Sequence, residues 1–143
     1  MVFDQTTRKI IKLISLLVIL LIIISGPIAC KSSSSPAFNE STIRDYADPA
    51  TEMTLQGLSE SNLAKYTQNA NLEFKAAVTQ EILDKTATQI DSQLGNYVSK
   101  EFLRIEEQEG FIIVHYKAKY TEGEVGIQMV FDKDHLVAGQ WFE

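Results

Sequence analysis

Apolar positions recur with a helical period up to Leu94 and with a period of two from Asn96 onward. Asp48-Pro49 predicts a helix start, with Asp as N-cap and Pro at the first helical position, and Met53, Leu55 and Leu58 as its apolar contacts. Gly57 weakens that helix near its end. Ser59 is a second candidate N-cap, ahead of a short helix carrying Leu63 and Tyr66, and Asn69 and Asn71 read as turn residues. Leu72–Val78 reads as a short helical segment. Thr79 caps a longer helix from Gln80, in which Leu83, Ala87, Ile90 and Leu94 form one apolar stripe, and Gly95 stops it.

The second half alternates. Tyr97–Glu106 is a long mixed strand, and Gly110 marks a turn into Phe111–Tyr120. There Ile112, Val114, Tyr116, Ala118 and Tyr120 share one parity, while His115, Lys117 and Lys119 share the other. After Gly123, Val125, Ile127, Met129 and Phe131 alternate with Glu124, Gly126, Gln128 and Val130. Asp132–His135 is a hairpin loop before a last strand, Leu136–Phe142. Helices first and an antiparallel meander after them predict an α+β fold, the N-terminal helices covering one face of a curved four-stranded sheet. Even positions of Phe111–Tyr120 and odd positions of Val125–Phe131 should share the covered face.

In front of this domain stands an apolar run, Leu13–Ile24, interrupted only by Ser15 and preceded by Arg8, Lys9 and Lys12. A basic flank, a short apolar run and a Gly26-Pro27 break make an export signal. The ending Ile28-Ala29-Cys30 resembles a bacterial lipobox, although Pro27 stands where leucine is usual. That resemblance implies cleavage before Cys30, lipidation of Cys30 and attachment to the outer face of a cell membrane. The alternative is an uncleaved anchor, because Ile10–Ala29 is long enough as a helix (about 30 Å) to span. The expected division is therefore 1–29 signal or membrane segment, 30–40 lipidated cysteine and Ser-rich tether, and 41–143 a single domain.

The order of helices, Phe74-Lys75-Ala76-Ala77-Val78, the long helix, Gly95, and a meander ending Val130-Phe131-Asp132 and Gly139 resembles a known family. It is similar to the bacterial and archaeal domain of unknown function 3887. The resemblance implies a cone-like arrangement of the cystatin or nuclear-transport-factor type, in which helices and a curved sheet can enclose a pocket. It implies no catalytic residue and no cofactor. If such a pocket exists, Tyr66, Phe74, Tyr97, Tyr116, Met129 and Trp141 are its candidate lining.

Composition narrows the function classes. Cys30 is the only cysteine, so neither a disulfide framework nor a thiolate metal cluster is available within the chain. The net charge is −6. Residues 1–30 hold Arg8, Lys9, Lys12 and Asp4, so the remainder carries 10 basic and 18 acidic groups, a balance of −8. Without a basic stripe, nucleic acid is not an expected partner. His115 and His135 are the only histidines, and parity and loop position predict both exposed, so no metal site is expected. Asp132 and Asp134 lack calcium-loop spacing, and Glu106, Glu107 and Glu109 read as a solvated loop.

Three functions follow. The first is a membrane-anchored, non-enzymatic interaction module outside the membrane, with a small ligand or a protein as partner. The second is a small-molecule enzyme or carrier using the cone, with Tyr116 or Tyr97 as proton donor. The third is self-association, as a homodimer, through the exposed sheet face around His115, Lys117 and Lys119.

Overall fold

The structure, a computed structural model, describes residues 39–143. The expected export segment, Cys30 and the expected tether up to residue 38 lie outside the described residues. Helix α1 runs Glu40–Ser59, α2 Leu63–Tyr66, α3 Leu72–Ala77 and α4 Gln80–Leu94. Strands follow as β1 Tyr97–Gln108, β2 Phe111–Tyr120, β3 Glu124–Phe131 and β4 Val137–Phe142. The sheet is a plain antiparallel meander in the order β1-β2-β3-β4.

Side-chain caps set the helix starts. Asn39, Asn62, Asn71 and Thr79 each accept a hydrogen bond from the N–H three residues on, which satisfies one of the free donors of the first turn. Gly95, at φ +75°, ends α4 in a conformation that side chains disfavour. The start of α1 corrects the sequence expectation. Asp48 is not an N-cap, because its carboxylate accepts from Arg44 one turn earlier and from Tyr116 across the sheet. Pro49 lies inside the helix, on its exposed side, where water can serve the carbonyl of Asp45 that loses its donor. The helix therefore begins at Glu40, in what was expected to be tether. Asn62 replaces Ser59 as the cap of α2.

The face of α1 turned to the sheet carries Ile43, Ala47, Ala50, Thr51, Thr54, Leu55 and Leu58, all buried. Small residues in its middle let the helix come close. Against it lie Val114, Tyr116, Ala118 and Tyr120 of β2 and Ile127, Met129 and Phe131 of β3. Cross-strand pairs Val114–Met129 and Tyr116–Ile127 place the two expected parities on one face. A second cluster, Leu58, Tyr66 and Leu83, joins α1, α2 and α4. Bulges in β1 at Tyr97/Ser99 and Phe102/Arg104 bend that edge strand around the helix.

One parity expectation fails. His115, predicted exposed, is 2% accessible. β2 is an inner strand, and Arg104 and Gln128 stand opposite His115 on its two neighbours.

Candidate functional site

The six candidate pocket residues do not form one pocket. Tyr66 and Phe74 stack at 5.9 Å between α2 and α3, and the Tyr66 hydroxyl donates to Gln140 at 2.8 Å. Tyr97, Tyr116 and Met129 belong to the main core under α1. Trp141 is on the opposite face, 53% exposed, with its ring lying across Gly139. A register shift between Val130 and Phe131 in the β3–β4 pairing breaks the alternation of Val137, Gly139 and Trp141, so Trp141 stands opposite Gln128 on the outward side. A small cleft beside α4, lined by residues that include Leu58, Ala87, Ile90, Gly95 and Tyr120, holds about 20 Å³. It has room for a single water.

Several polar groups at the helix–sheet boundary are engaged with one another. The Tyr116 hydroxyl donates to Asp48 at 2.8 Å and the Tyr97 hydroxyl to Glu52 at 2.9 Å, so two carboxylates one turn apart on α1 grip two strands. Arg44 holds the other Asp48 oxygen at 3.0 Å and lies over the Phe102 ring. Lys100 approaches Asp48 at 3.9 Å above the Tyr116 ring. The arrangement is a polar seam clamping helix to sheet.

Outside the core, one groove combines apolar floor and acidic rim. Its apolar residues are Leu72 at the start of α3, Phe111 at the start of β2 and Leu136 before β4. They are 84, 41 and 39% exposed, three of the seven large hydrophobic side chains exposed among the described residues. Glu73, Asp132 and Asp134 ring them around a volume of about 360 Å³. The hairpin between β3 and β4 is built to hold this shape. Asp132 accepts from the N–H groups of Asp134 and Leu136, both at 3.0 Å, and from Asn71 at 3.1 Å. Burial pushes the Asp132 carboxyl up, but these hydrogen bonds outweigh it and hold it below the usual carboxylate range. His135 turns at φ +62°, exposed and stacked on Tyr46 at 4.1 Å. The local sequence marks Asp132 and Asp134 as turn residues but not the groove, because its floor comes from three separate segments. Among the described residues, no three His, Cys, Asp or Glu groups are placed to share a metal ion.

Residues 52–139 match the family model described as Protein of unknown function (DUF3887). The chain belongs to this family. Two solved structures are similar. One is the NMR structure of a protein from Ruminococcus gnavus ATCC 29149, 19% identical, covering 74% of this chain and 93% of that one, with a TM-score of 0.49. The other is the crystal structure of an NTF-2 like protein of unknown function from Burkholderia xenovorans LB400, 12% identical, covering 71% and 86%, with a TM-score of 0.39. No curated protein matches. Leu72, Phe111 and Leu136 all fall inside the DUF3887 match.

The tyrosines of this DUF3887 domain make its stability sensitive to alkali. Burial pushes the hydroxyls of Tyr66 and Tyr120 up to about 12. Burial, then the hydrogen bonds to Glu52 and Asp48, push Tyr97 and Tyr116 higher still. A phenol titrates near about 10 in the unfolded chain. Because the folded values are raised, this stabilisation is complete below about pH 10 and is lost as pH rises towards the folded values. Phenolate absorbance should therefore appear together with loss of the circular-dichroism signal, above about pH 10. Ionisation of all five tyrosines near pH 10 with the fold intact would contradict the seam.

Proposed function

We propose that the protein is a non-enzymatic interaction module, tethered outside a cell membrane through its N-terminal segment. Its groove receives a partner segment that presents apolar side chains flanked by Lys or Arg. The carrying observation is the groove itself, where Leu72, Phe111 and Leu136 meet a rim of three carboxylates. An exposed apolar cluster of this kind is a normal mark of a binding surface. The acidic rim favours a basic partner and speeds its encounter. The net balance of −8 beyond residue 30 adds to that preference and repels anionic lipid, which suits a covalent tether.

The enzyme reading has less support. Both proposed proton donors, Tyr97 and Tyr116, already donate to carboxylates, and their hydroxyls are pushed away from the neutral range where a general acid works. Among the described residues no helix is long and apolar enough to cross a membrane, so the tether rests on residues 8–30 alone. Cys30→Ala should abolish incorporation of labelled fatty acid and change the membrane fraction of the full chain.

A photo-reactive phenylalanine at position 72 or 111 of the full chain, in membranes of the native cell, should cross-link one protein through a Lys- or Arg-rich segment. The double charge reversal Glu73→Lys and Asp134→Lys should weaken that capture about tenfold, the loss expected for a few screened ion pairs. The same probe at Ile82, exposed on α4 away from the groove, should not capture it. Equal capture from Ile82, or capture indifferent to the charge reversal, would refute the groove as the site.

A further inference from the structure

The outer face of the sheet holds a histidine whose surroundings cannot be satisfied by one proton. The His115 side chain is 2% exposed, and neither ring nitrogen has a hydrogen-bond partner. Each nitrogen looks at a different carboxylate. Nε2 lies 3.6 Å from Glu106 on β1, and Nδ1 lies 3.7 Å from Glu143, just beyond β4. Both carboxylates are about half exposed, so both have freedom to move. A shift of well under 1 Å would bring either into hydrogen-bond range.

A neutral imidazole has one N–H and one lone pair. Either neutral tautomer therefore donates to one carboxylate and sets a lone pair against the other. Only the doubly protonated ring serves both. The remaining charges are accounted for element by element. On β1, Arg104 donates to Glu106 at 2.7 Å, and Glu101 pairs with Lys119 at 3.4 Å. On β2 itself, Lys117 pairs with Glu124 of β3 at 3.6 Å. Gln128, opposite His115 on β3, is neutral.

The neighbouring strand leaves Glu143 its path. Its N–H donates to the Gly126 carbonyl at 2.9 Å, and a Cβ at Gly126 would lie 3.1 Å from that of Glu143. A larger residue at position 126 would push the side chain away from His115.

We propose that His115 is a proton-operated clasp on the outer face. With both nitrogens protonated, it holds Glu106 of β1 and Glu143 beyond β4 against β2, tying the two edges of the sheet through its interior strand. When the ring loses a proton, one carboxylate is released. Arg104 retains Glu106, so Glu143 is the one that leaves, and the end of β4 loosens with it. The clasp goes beyond the groove reading and does not depend on it.

The test is nitrogen-resolved NMR of the full chain in detergent micelles, together with amide exchange at Phe142 and Glu143. As pH falls, both His115 ring nitrogens should become N–H. In step, exchange at the Glu143 amide should slow about tenfold beyond its intrinsic pH dependence, the gain expected of one charge-assisted hydrogen bond. Glu143→Gln should remove the pH response of that amide without unfolding the chain, and His135→Gln should leave it intact. His115→Gln should remove it too, where that variant folds. A Glu143 amide whose corrected exchange does not change with pH in the wild-type chain would overturn the clasp. So would an unchanged response in Glu143→Gln. Neither result bears on cross-linking from Leu72 or Phe111.

Discussion

Gly57→Ala is expected to destabilise the domain by roughly 3 kcal/mol, although alanine is the better helix residue by about 1 kcal/mol. The cause is contact between backbones. A Cβ on Gly57 would lie 2.6 Å from the Tyr66 Cα and 2.9 Å from the Lys65 carbonyl carbon, and closer still to the Tyr66 nitrogen. Those atoms belong to α2, whose start is tied to α1 by the Asn62 N–H donating to the Gly57 carbonyl at 2.8 Å. No side chain can rotate aside to make room, so the two helices must separate. They would pull Tyr66 out of its cluster with Leu58 and Leu83. For a domain of about 100 residues such a loss lowers Tm by roughly 12 °C or more. Thermal unfolding of the full chain checks it. A Tm equal to or above that of the parent would show that helix propensity governs position 57 and that the close approach is absent.

Phe131→Ala is expected to cost about 4 kcal/mol, in the upper range for large-to-small changes in a core. Phe131 is fully buried at the end of β3 and meets the Tyr46 ring edge-on at 5.4 Å. Tyr46 in turn stacks on His135 of the hairpin. The substitution therefore opens a void between α1 and the sheet and also removes the support under the hairpin. Phe131→Leu keeps most of the volume and should lose less than half as much. Denaturant titration of both variants would show it. If the alanine variant lost no more than the leucine variant, Phe131 would not be packed as described. The prediction also reaches the groove, because the hairpin that Tyr46 steadies carries Asp132, Asp134 and Leu136.

Several elements were legible because their signals are local. The parity of Phe111–Tyr120 and Val125–Phe131 needs only the alternation of the pleat, and both strands bury the expected side. Helix α4 announced itself through the Thr79 cap, the stripe from Leu83 to Leu94 and Gly95. The start of α1 was not legible, because Asp-Pro is a strong local start signal. Here it is overridden by Arg44 and Tyr116, which engage Asp48, and by an exposed proline whose lost hydrogen bond water can replace. Trp141 is a large aromatic residue of the kind that usually packs inside. The register of β4 against Gln128 puts it outside.

The chain by itself determined its element order, the covered face of the sheet and its acidic balance. It also carries the apolar run Leu13–Ile24 and a single cysteine, Cys30. These depend on residues within a few positions of one another, where periodicity, capping and charge act directly. Tertiary structure alone decided which polar groups meet. Asp48 finds Tyr116 and Tyr66 finds Gln140 across separations of 68 and 74 residues, so only packing and register select those partners. The same holds for the groove of Leu72, Phe111 and Leu136, and for His115 between Glu106 and Glu143. An alternating strand predicts which way a side chain points. Whether it meets water or two carboxylates depends on the lengths and angles of the neighbouring strands, which no local pattern encodes.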